Sequence, residues 1–594
     1  MKHPVRLIVR IASLMLVITT VAFSWACIER PMKVADPAPN VLSDFSAAQS
    51  ATRDVDLIFL IDTSLSMADE QQILRGNFPN LVRVLKDISG GLPNIHMGTI
   101  TPDLGTSPYN IPGCERPGGD DGRFMKGVNN SCANPVNQNY VVDVEPRGCE
   151  IEKNIVANQA TTCSRDTCTE ANCEQAAFAT SVGISSEPAG LQLVRDEYGC
   201  PRCRNYSGES LEDVFSCMAT LGTNGCGMEQ QLEAVKKALT TGDPANAGFL
   251  RSNAYLAIFI ITDEDDCSTK NTELFNPQGD INSTFGVLTS FRCTEFGVTC
   301  DQPWQRVMPS GQATYTNCRP RENNDPKNML YPISVYTNFL SQLKSSEMLL
   351  VGAITGPYAN QVTVGLDTNQ NPKLMPSCGI PTEGADPAVR IKAFVEALTK
   401  PEDMSWAFTS ICTNDFSPAL TGLGNRIKAL TEVQCITTPL NGCPDPRFAN
   451  GGAKLLPDLL DAEAGKCEPL CSVQDIDQQG NVTDIPLCDA SYAGGHPPKR
   501  DPKLPVPKCY HIKYNDACAI PCPPGSENLG CSARNPWYAP SRGAEIVISR
   551  KDDPPPGTKA KIACAGLPLI EKLCYDGIDN DVDGLIDMND PDCN

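Results

Sequence analysis

Residues 55–67 read Val-Asp-Leu-Ile-Phe-Leu-Ile-Asp-Thr-Ser-Leu-Ser-Met, and their pattern indicates the fold class. Its first part, Val55 to Ile61, is a nearly unbroken apolar run of strand length. A run that is apolar at successive positions predicts a strand buried on both faces. Such strands lie at the centre of parallel sheets, where helices cover both faces. The stretch therefore predicts an α/β fold.

The apolar run ends at Asp62, and hydroxyl side chains follow at Ser64 and Ser66. Open α/β sheets bind their ligands at the carboxyl ends of central strands. One carboxylate and two hydroxyls at such an end offer only oxygen ligands, which suit a hard cation such as Mg²⁺, Mn²⁺ or Ca²⁺. The competing interpretation is that Asp62 caps the next helix and that the two serines are turn residues.

A second apolar run, residues 254–263, also ends on an acid. Together with this run, the Asp-Thr-Ser-Leu-Ser of residues 62–66 resembles the Asp-x-Ser-x-Ser signature of von Willebrand factor type A domains. The resemblance implies a metal-ion-dependent adhesion site built from Asp62, Ser64, Ser66 and Asp263. It also implies that the metal keeps one position open for an acidic side chain of a protein partner.

The family supplies a further metal ligand, a threonine, from the loop before its second helix. Here Thr223 is the only threonine of that loop and stands early in it, whereas Met228 and Glu229 occupy the positions nearest the helix. The third ligand is therefore either Thr223 or Glu229. Glu229 would make the site more acidic and more suited to calcium, or it is a residue of the first helical turn that faces water.

Helical and strand patterns alternate along the chain. A helical period covers residues 69–88 with Pro79 as a candidate break, strand patterns follow at 95–100 and 348–354, and 406–411 reads as an edge strand. This order predicts a doubly wound, mostly parallel sheet. The resemblance covers about residues 52–435, with Cys-rich insertions at about 103–210 and 267–331 that are read as disulfide-stapled.

Composition places the chain outside the cytoplasm. The net charge of −22 argues against a nucleic-acid surface, and the 29 cysteines indicate an oxidising compartment. Residues 1–26 read as a signal peptide, and Cys27 resembles a bacterial lipoprotein cleavage site. Lipidation of Cys27 followed by a tether at 27–51 would make a lipid anchor the only contact with a membrane. Ordinary signal cleavage, with Cys27 in a disulfide, is the alternative.

Two other candidate sites have weaker support in the sequence. Cys200-Pro-Arg-Cys203 has the spacing of a redox or zinc motif, but it lacks the surrounding pattern of either, so disulfide staples are favoured. His96 stands within a strand pattern with no neighbouring Cys or His, so it is read as a strand residue.

The C-terminal part divides into a Cys/Pro-rich, mostly irregular region at 436–563 and an Asp-rich motif at 564–594. The motif has the oxygen spacing of an EF-hand calcium loop without an exit helix, and it resembles thrombospondin type 3 repeats. The predicted calcium ligands are Asp579, Asp581, Asp583, Leu585 through its carbonyl, Asp587 and Asp590. Cys574 and Cys593 flank the loop as a candidate disulfide, and the competing interpretation is an acidic tail.

These patterns favour a non-enzymatic, metal-dependent adhesion protein that binds an acidic side chain of a protein partner. We expect an exported protein, as an outer-membrane or cell-surface lipoprotein or otherwise as a periplasmic or secreted protein. The alternative is a structural envelope protein stabilised by calcium and disulfides, with its adhesion site unused. A secreted hydrolase is disfavoured because the sequence offers neither a plausible triad nor a Gly-x-Ser-x-Gly elbow.

Overall fold

The computed structural model describes residues 41–45, 53–154, 160–177, 188–240, 242–252, 254–379, 384–431, 435–436, 471–477, 480–489, 491–492, 497, 501, 503–515, 543–552 and 558–566. The strands are β1 Val41–Phe45, β2 Asp54–Ile61, β3 Asn94–Ile100, β4 Tyr140–Val144, β5 Ile151–Asn154, β6 Thr162–Asp166, β7 Gln192–Arg195, β8 Pro201–Arg204, β9 Tyr255–Ile261, β10 Val298–Thr299, β11 Gln312–Thr316, β12 Arg319–Pro320, β13 Leu349–Thr355, β14 Gln361–Leu366, β15 Pro372–Leu374, β16 Phe408–Ser410, β17 Cys435–Ile436, β18 Cys471–Ile476, β19 Val482–Asp484, β20 Lys508–Asn515, β21 Gly543–Arg550 and β22 Lys559–Gly566. The helices are α1 Ala68–Lys86, α2 Glu170–Ala177, α3 Leu211–Met218, α4 Gln231–Thr240, α5 Phe291–Gly297, α6 Ile333–Leu343, α7 Val389–Leu398, α8 Met404–Ala407 and α9 Ser417–Thr431.

An eight-stranded sheet forms the centre of the molecule, in the order β16-β13-β9-β2-β3-β4-β8-β7. The five strands from β16 to β3 are parallel to their neighbours, and β4, β8 and β7 continue the sheet in antiparallel fashion. The α/β class and the mostly parallel sheet are therefore confirmed. Both apolar runs singled out in the sequence, β2 and β9, lie side by side at its centre.

The central strands are buried on both faces because helices cover each side of the sheet. Along β2, Phe59 and Ile61 contact one layer, formed by α1, α3 and α9, whereas Ile58 and Leu60 contact the other, formed by α4, α6 and α7. This alternation explains why a strand with two buried faces reads as a continuous apolar run. Among the described residues, no helix combines the length and the apolar character needed to cross a membrane.

Helix α1 runs unbroken through Pro79, so the candidate break does not occur. Phe78, Leu81 and Val82 on either side of the proline are buried in the core. Their burial offsets the loss of one backbone hydrogen bond at the proline. The predicted edge strand is confirmed at β16, while Trp406 belongs to the short helix α8 before it.

The Cys-rich segment at 103–210 is more than an insertion, because it supplies β4, β7 and β8 to the central sheet. Disulfides hold this segment and the second insertion, as expected. The described pairs are Cys114–Cys226, Cys132–Cys217, Cys149–Cys168, Cys163–Cys200, Cys173–Cys203, Cys267–Cys293, Cys300–Cys318, Cys378–Cys412 and Cys488–Cys509. Cys200 and Cys203 each pair elsewhere, which excludes a disulfide between them and supports the staple interpretation.

The C-terminal region is more regular than expected. Its described residues form a sheet of β17, β21 and β20, and β18, β19 and β22 join β1 in a second sheet. Gly543–Arg550 forms β21, the central strand of the first of these sheets. Strand β1 comes from the segment predicted to be a tether, and it pairs with β22. The signal peptide, Cys27 and the predicted calcium loop at 579–590 with Cys574 and Cys593 lie outside the described residues.

Candidate metal centre

The candidate site lies where the chain reverses its direction of winding across the sheet. From β2 the chain continues to β3 on one side, whereas from β9 it continues to β13 on the other. The carboxyl ends of β2 and β9 meet at this switch point, and the Asp62 backbone N–H donates to the Ile261 carbonyl at 2.9 Å. Side chains that follow the two strands therefore share one crevice, the usual ligand position of open α/β sheets.

The structure brings the four main predicted residues together. Asp62 Oδ1 accepts a hydrogen bond from the Ser64 backbone N–H at 2.8 Å, and the Ser64 and Ser66 hydroxyls are 3.1 Å apart. Both hydroxyls also hydrogen bond to the carboxyl group of Asp263. A single 3₁₀ turn, Leu65–Met67, places the serines on the same side and leaves Leu65 81% exposed.

Three further side chains orient Asp62. Thr262 Oγ1 donates to Asp62 Oδ2 at 2.5 Å, and Gln231 Nε2 donates to Thr262 Oγ1 at 3.1 Å. Gln71 Nε2 donates to the carbonyls of Asp62 at 2.9 Å and Gly222 at 2.8 Å. The sequence analysis did not single out these residues. Two signals were present in the sequence: Thr262 directly precedes Asp263, and Gln71 is a polar residue in an amphipathic helix.

The loop that was expected to supply a third ligand packs directly on the Asp62 loop. The Gly225 backbone N–H donates to the Thr63 carbonyl at 2.8 Å, and a Cβ at Gly225 would lie 2.0 Å from Thr63 Oγ1. The Cys114–Cys226 disulfide ties this loop to the first Cys-rich segment. The structure places Thr223 partly buried within the loop.

Glu229, the other candidate third ligand, is buried at 1% exposure and does not face water. Its carboxyl group hydrogen bonds with that of Glu264, and it feels the charge of Asp62. Burial, then the charge of Glu264, raises the pKa of Glu229 well above its ordinary value. The water-facing interpretation of Glu229 is therefore wrong.

The acids that follow Asp263 along the chain differ from one another in their contacts. Asp265 accepts hydrogen bonds from the backbone N–H groups of Arg390 and Ile391 at 3.0 and 3.1 Å, and so caps helix α7. Asp266 is buried, forms an ion pair with Arg390 at 2.9 Å and accepts from the Leu232 N–H at 3.0 Å. Both acids hold neighbouring elements in place, and only Glu264 joins the candidate site.

The electrostatics of the site favour a bound cation. Burial, followed by the negative charge of Asp263, raises the pKa of Asp62 to about 7. Burial also raises the pKa of Asp263, although the hydrogen bonds from Ser66 and Ser64 oppose the shift. Asp263 Oδ1 and Glu70 Oε2 are buried and receive no hydrogen bond from the described residues. Carboxylates in this state repel each other, and a divalent cation would remove the repulsion.

The residues present fit a hard divalent cation. Carboxylate and hydroxyl oxygens converge, and Mg²⁺ is commonly bound through one or two carboxylates together with waters. Within the described ranges, no group of three or more His, Cys, Asp and Glu side chains is arranged to hold a metal ion. The candidate centre therefore depends on its serine hydroxyls as well as on Asp62 and Asp263.

His96 behaves as the sequence indicated, as a buried residue of β3. Its Nδ1 lies 2.7 Å from the Phe249 carbonyl and 3.8 Å from Asp56 Oδ1, at the amino end of the sheet and away from the candidate centre.

Comparison with known proteins adds no assignment: no protein-family model matches the chain, and the search of curated proteins found no significant match.

Proposed function

We propose that this protein is a non-enzymatic, metal-dependent protein-binding protein of the bacterial cell surface, of the von Willebrand factor type A class. The observation that carries the proposal is the convergence of Asp62, Ser64, Ser66 and Asp263 at the switch point of the sheet. The Asp-x-Ser-x-Ser spacing and the second acid on the adjacent strand support the same class.

Each side chain has a defined part in the proposed centre. Ser64 and Ser66 would offer hydroxyl oxygens, and Asp263 would offer its unpartnered Oδ1. Asp62 is held from Thr262 on one side and from the Ser64 N–H on the other, so its carboxylate is fixed before any ligand arrives. The bound Mg²⁺, Mn²⁺ or Ca²⁺ would supply a positive charge that accepts a carboxylate of the partner.

The exposed surface of the centre suits contact with another protein. Leu65 is 81% exposed between the two serines, and Ser66 is also exposed. A partner's acidic side chain that reaches the cation would therefore lie beside an apolar side chain. The disulfides of the described residues agree with an exported protein. We include in this proposal the export of the chain, a lipid anchor at Cys27 and a calcium-binding loop at 579–590.

The first test is a calorimetric titration of the mature chain with Mg²⁺ and Mn²⁺. All proteins carry Asp581→Ala, which removes the predicted terminal calcium loop from the count. We expect Asp62→Ala and Asp263→Ala each to lose one binding equivalent that the parent has. Asp69→Ala, an exposed acid in the first turn of α1, is the matched control and should keep it. Binding that survives in both site variants would refute the metal centre.

The second test addresses the partner's chemistry. An array of peptides containing Glu or Asp is compared with matched peptides containing Gln or Asn. We expect binding to the acidic peptides in Mg²⁺, loss of binding in EDTA, and loss in Asp263→Ala. Equal binding to acidic and amide peptides would show that the partner is not recognised through a carboxylate.

A further inference from the structure

The α/β domain, residues 54–431, is joined to the rest of the chain at one edge of its central sheet. Strand β2 begins at Asp54, which accepts a hydrogen bond at 2.8 Å from Asn94 Nδ2 at the start of β3. Helix α9 ends beside the same edge, because the Tyr255 hydroxyl at the start of β9 donates to the Leu430 carbonyl at 3.3 Å. The chain therefore enters and leaves this domain at the amino ends of the parallel strands.

The candidate metal centre lies at the opposite edge of the sheet. Asp62 and Asp263 follow the carboxyl ends of β2 and β9, which are paired in parallel from Val55 to Ile61. The two strands therefore run side by side from one edge to the other. At about 3.3 Å per residue, the eight residues of β2 separate the two edges by about 25 Å.

The segments on both sides of the domain belong to one unit, which consists of β1 and β17–β22 and is called the C-terminal module here. Strand β1, which precedes the domain, pairs with β22, and β17, which follows it, pairs with β21. The two sheets of the module share one hydrophobic core, in which Val473 of β18 packs with Ile548 of β21. An ion pair at 2.5 Å between Asp475 in β18 and Arg550 in β21 also joins them. The two connections of the α/β domain therefore lead to the same module.

The length of these connections places the module beside the amino edge. Helix α9 ends at Thr431 and β17 begins at Cys435, and the chain between these residues spans at most about 14 Å. Strand β1 ends at Phe45 and β2 begins at Asp54, and this connection spans at most about 30 Å. Because both connections start at the amino edge, the module lies on the side of the domain that is remote from the metal centre.

We propose that the C-terminal module is a spacer that lies between the membrane and the α/β domain and directs the metal edge away from the lipid surface. The lipid anchor at Cys27 leads first to β1, because residues 28–40 run directly into that strand and span at most about 45 Å. The partner is then a protein outside the membrane that holds the anchor, and not a neighbour in that membrane. This choice of partner rests on the proposed function, which takes the metal edge as the binding surface.

The test compares the distances of two labels from a lipid bilayer. The chain from residue 28 onward, with an N-terminal histidine tag, is bound to vesicles that contain a nickel-chelating lipid and an acceptor dye. A fluorescent non-natural amino acid replaces either Ser252, exposed at the amino edge, or Asp69, exposed beside the metal centre. We expect stronger energy transfer to the bilayer from position 252, because the label at position 69 should lie further out by up to about 25 Å.

A variant in which Gly and Ser replace residues 41–45 tests the part played by β1. It should lose most of the difference between the two labels, because the tag then leads to β2 through a segment that no longer pairs with β22. The same replacement at residues 33–37, within the predicted tether, is the matched control and should keep the difference.

Equal transfer from both labels in the parent, or stronger transfer from position 69, would overturn the inference. A difference that persists in the β1 variant would overturn it as well, since β1 would then not determine how the domain is held. Failure of the proposed function would appear separately, as an absence of Mg²⁺ binding in a calorimetric titration of the parent while the difference between the labels remains.

Discussion

Two aspartates six residues apart along strand β2 and its end, Asp56 and Asp62, are both fully buried but have opposite surroundings. Asp56 Oδ1 accepts from Arg251 Nε at 2.8 Å, and its Oδ2 accepts from the Arg251 backbone N–H at 2.8 Å. The charge that acts most on Asp62 is that of another acid, Asp263. One end of the strand therefore holds a charge that an arginine compensates, and the other holds two acids side by side.

The same contrast extends across the sheet. Asp143 in β4 binds Arg202 at 2.6 Å and Arg204 at 2.8 Å, and it accepts from the Tyr206 hydroxyl at 2.5 Å. Burial raises the pKa of Asp143, but the two arginines outweigh it and hold the pKa below its ordinary value. Buried acids that serve the fold come with their own cations, so the acids that lack one identify the candidate functional edge.

The largest expected effect separates the two aspartates by stability. Asp56→Asn removes the nearest counter-charge of the buried Arg251 and leaves only Asp54 at 3.9 Å, which should cost about 3–5 kcal/mol of unfolding free energy. Asp62→Asn in EDTA should instead raise the unfolding free energy, because it removes a buried charge that lacks compensation. Urea unfolding of both variants at pH 7.5 measures the difference. Equal losses would show that Asp62 is also a structural charge.

A divalent cation should stabilise the folded protein by binding at the Asp62 end of β2 and not at the Asp56 end. Mn²⁺ at a hundredfold excess over its Kd should raise the unfolding free energy by about 2.7 kcal/mol. Asp263→Ala should lose this gain in unfolding free energy, whereas the control Asp69→Ala should keep it. Thermal unfolding with and without Mn²⁺ measures it, and an equal gain in Asp263→Ala would contradict the proposed centre.

The pH dependence should differ in sign between the two kinds of acid. The folded-state pKa of Asp62 lies above its ordinary value of 3.8, at about 7, so the folded state binds more protons than the unfolded state between these values. In EDTA, the contribution of Asp62 to the unfolding free energy should therefore decrease as pH rises from about 4 to 7, by at most about 1.4 kcal/mol per pH unit. Unfolding temperatures of the parent and Asp62→Asn across this range measure that contribution.

Asp143 supplies the opposite case for the same experiment. Its lowered pKa means that its contribution is present above the unfolded-state pKa and is lost as pH falls through the folded-state pKa. In a plot of unfolding temperature against pH, Asp143→Asn should therefore weaken the pH dependence at acid pH. Asp62→Asn should weaken it in the range that approaches pH 7. Identical profiles for the two variants would remove the basis of the comparison.

The smallest expected effect concerns the orientation of Asp62. Thr262→Val removes the hydroxyl that donates to Asp62 Oδ2. Because one such hydrogen bond contributes about 1 kcal/mol to the binding free energy, cation affinity should fall five- to tenfold. Thr314→Val removes a surface hydroxyl that pairs with Thr363 at 3.0 Å, and it should leave affinity unchanged. Calorimetric titration measures both variants. Unchanged affinity in Thr262→Val would show that the backbone alone positions Asp62.

The strongest predictions from sequence were those carried by local pattern. The apolar runs ending at Asp62 and Asp263 predicted two central strands, and a doubly buried strand needs apolar residues at successive positions wherever it lies. Helix α1 was recognised from its period, but its continuity through Pro79 was not, because packing of Phe78 and Leu81 offsets the missing hydrogen bond. Strands β4, β7 and β8 were missed because turns and cysteines obscure their short patterns.

Residue type and spacing were enough to predict the α/β class, candidate oxygen ligands after β2 and β9, and a disulfide-rich chain. These follow from residue type and spacing, which survive in any arrangement of the elements. The roles of the acids near Asp263 became visible in the three-dimensional arrangement alone. Asp265 and Asp266 are held by Arg390, which lies more than a hundred residues further along the chain, whereas Glu264 is left against Glu229. Charge compensation depends on which distant side chain arrives beside each acid, and no local pattern carries that information.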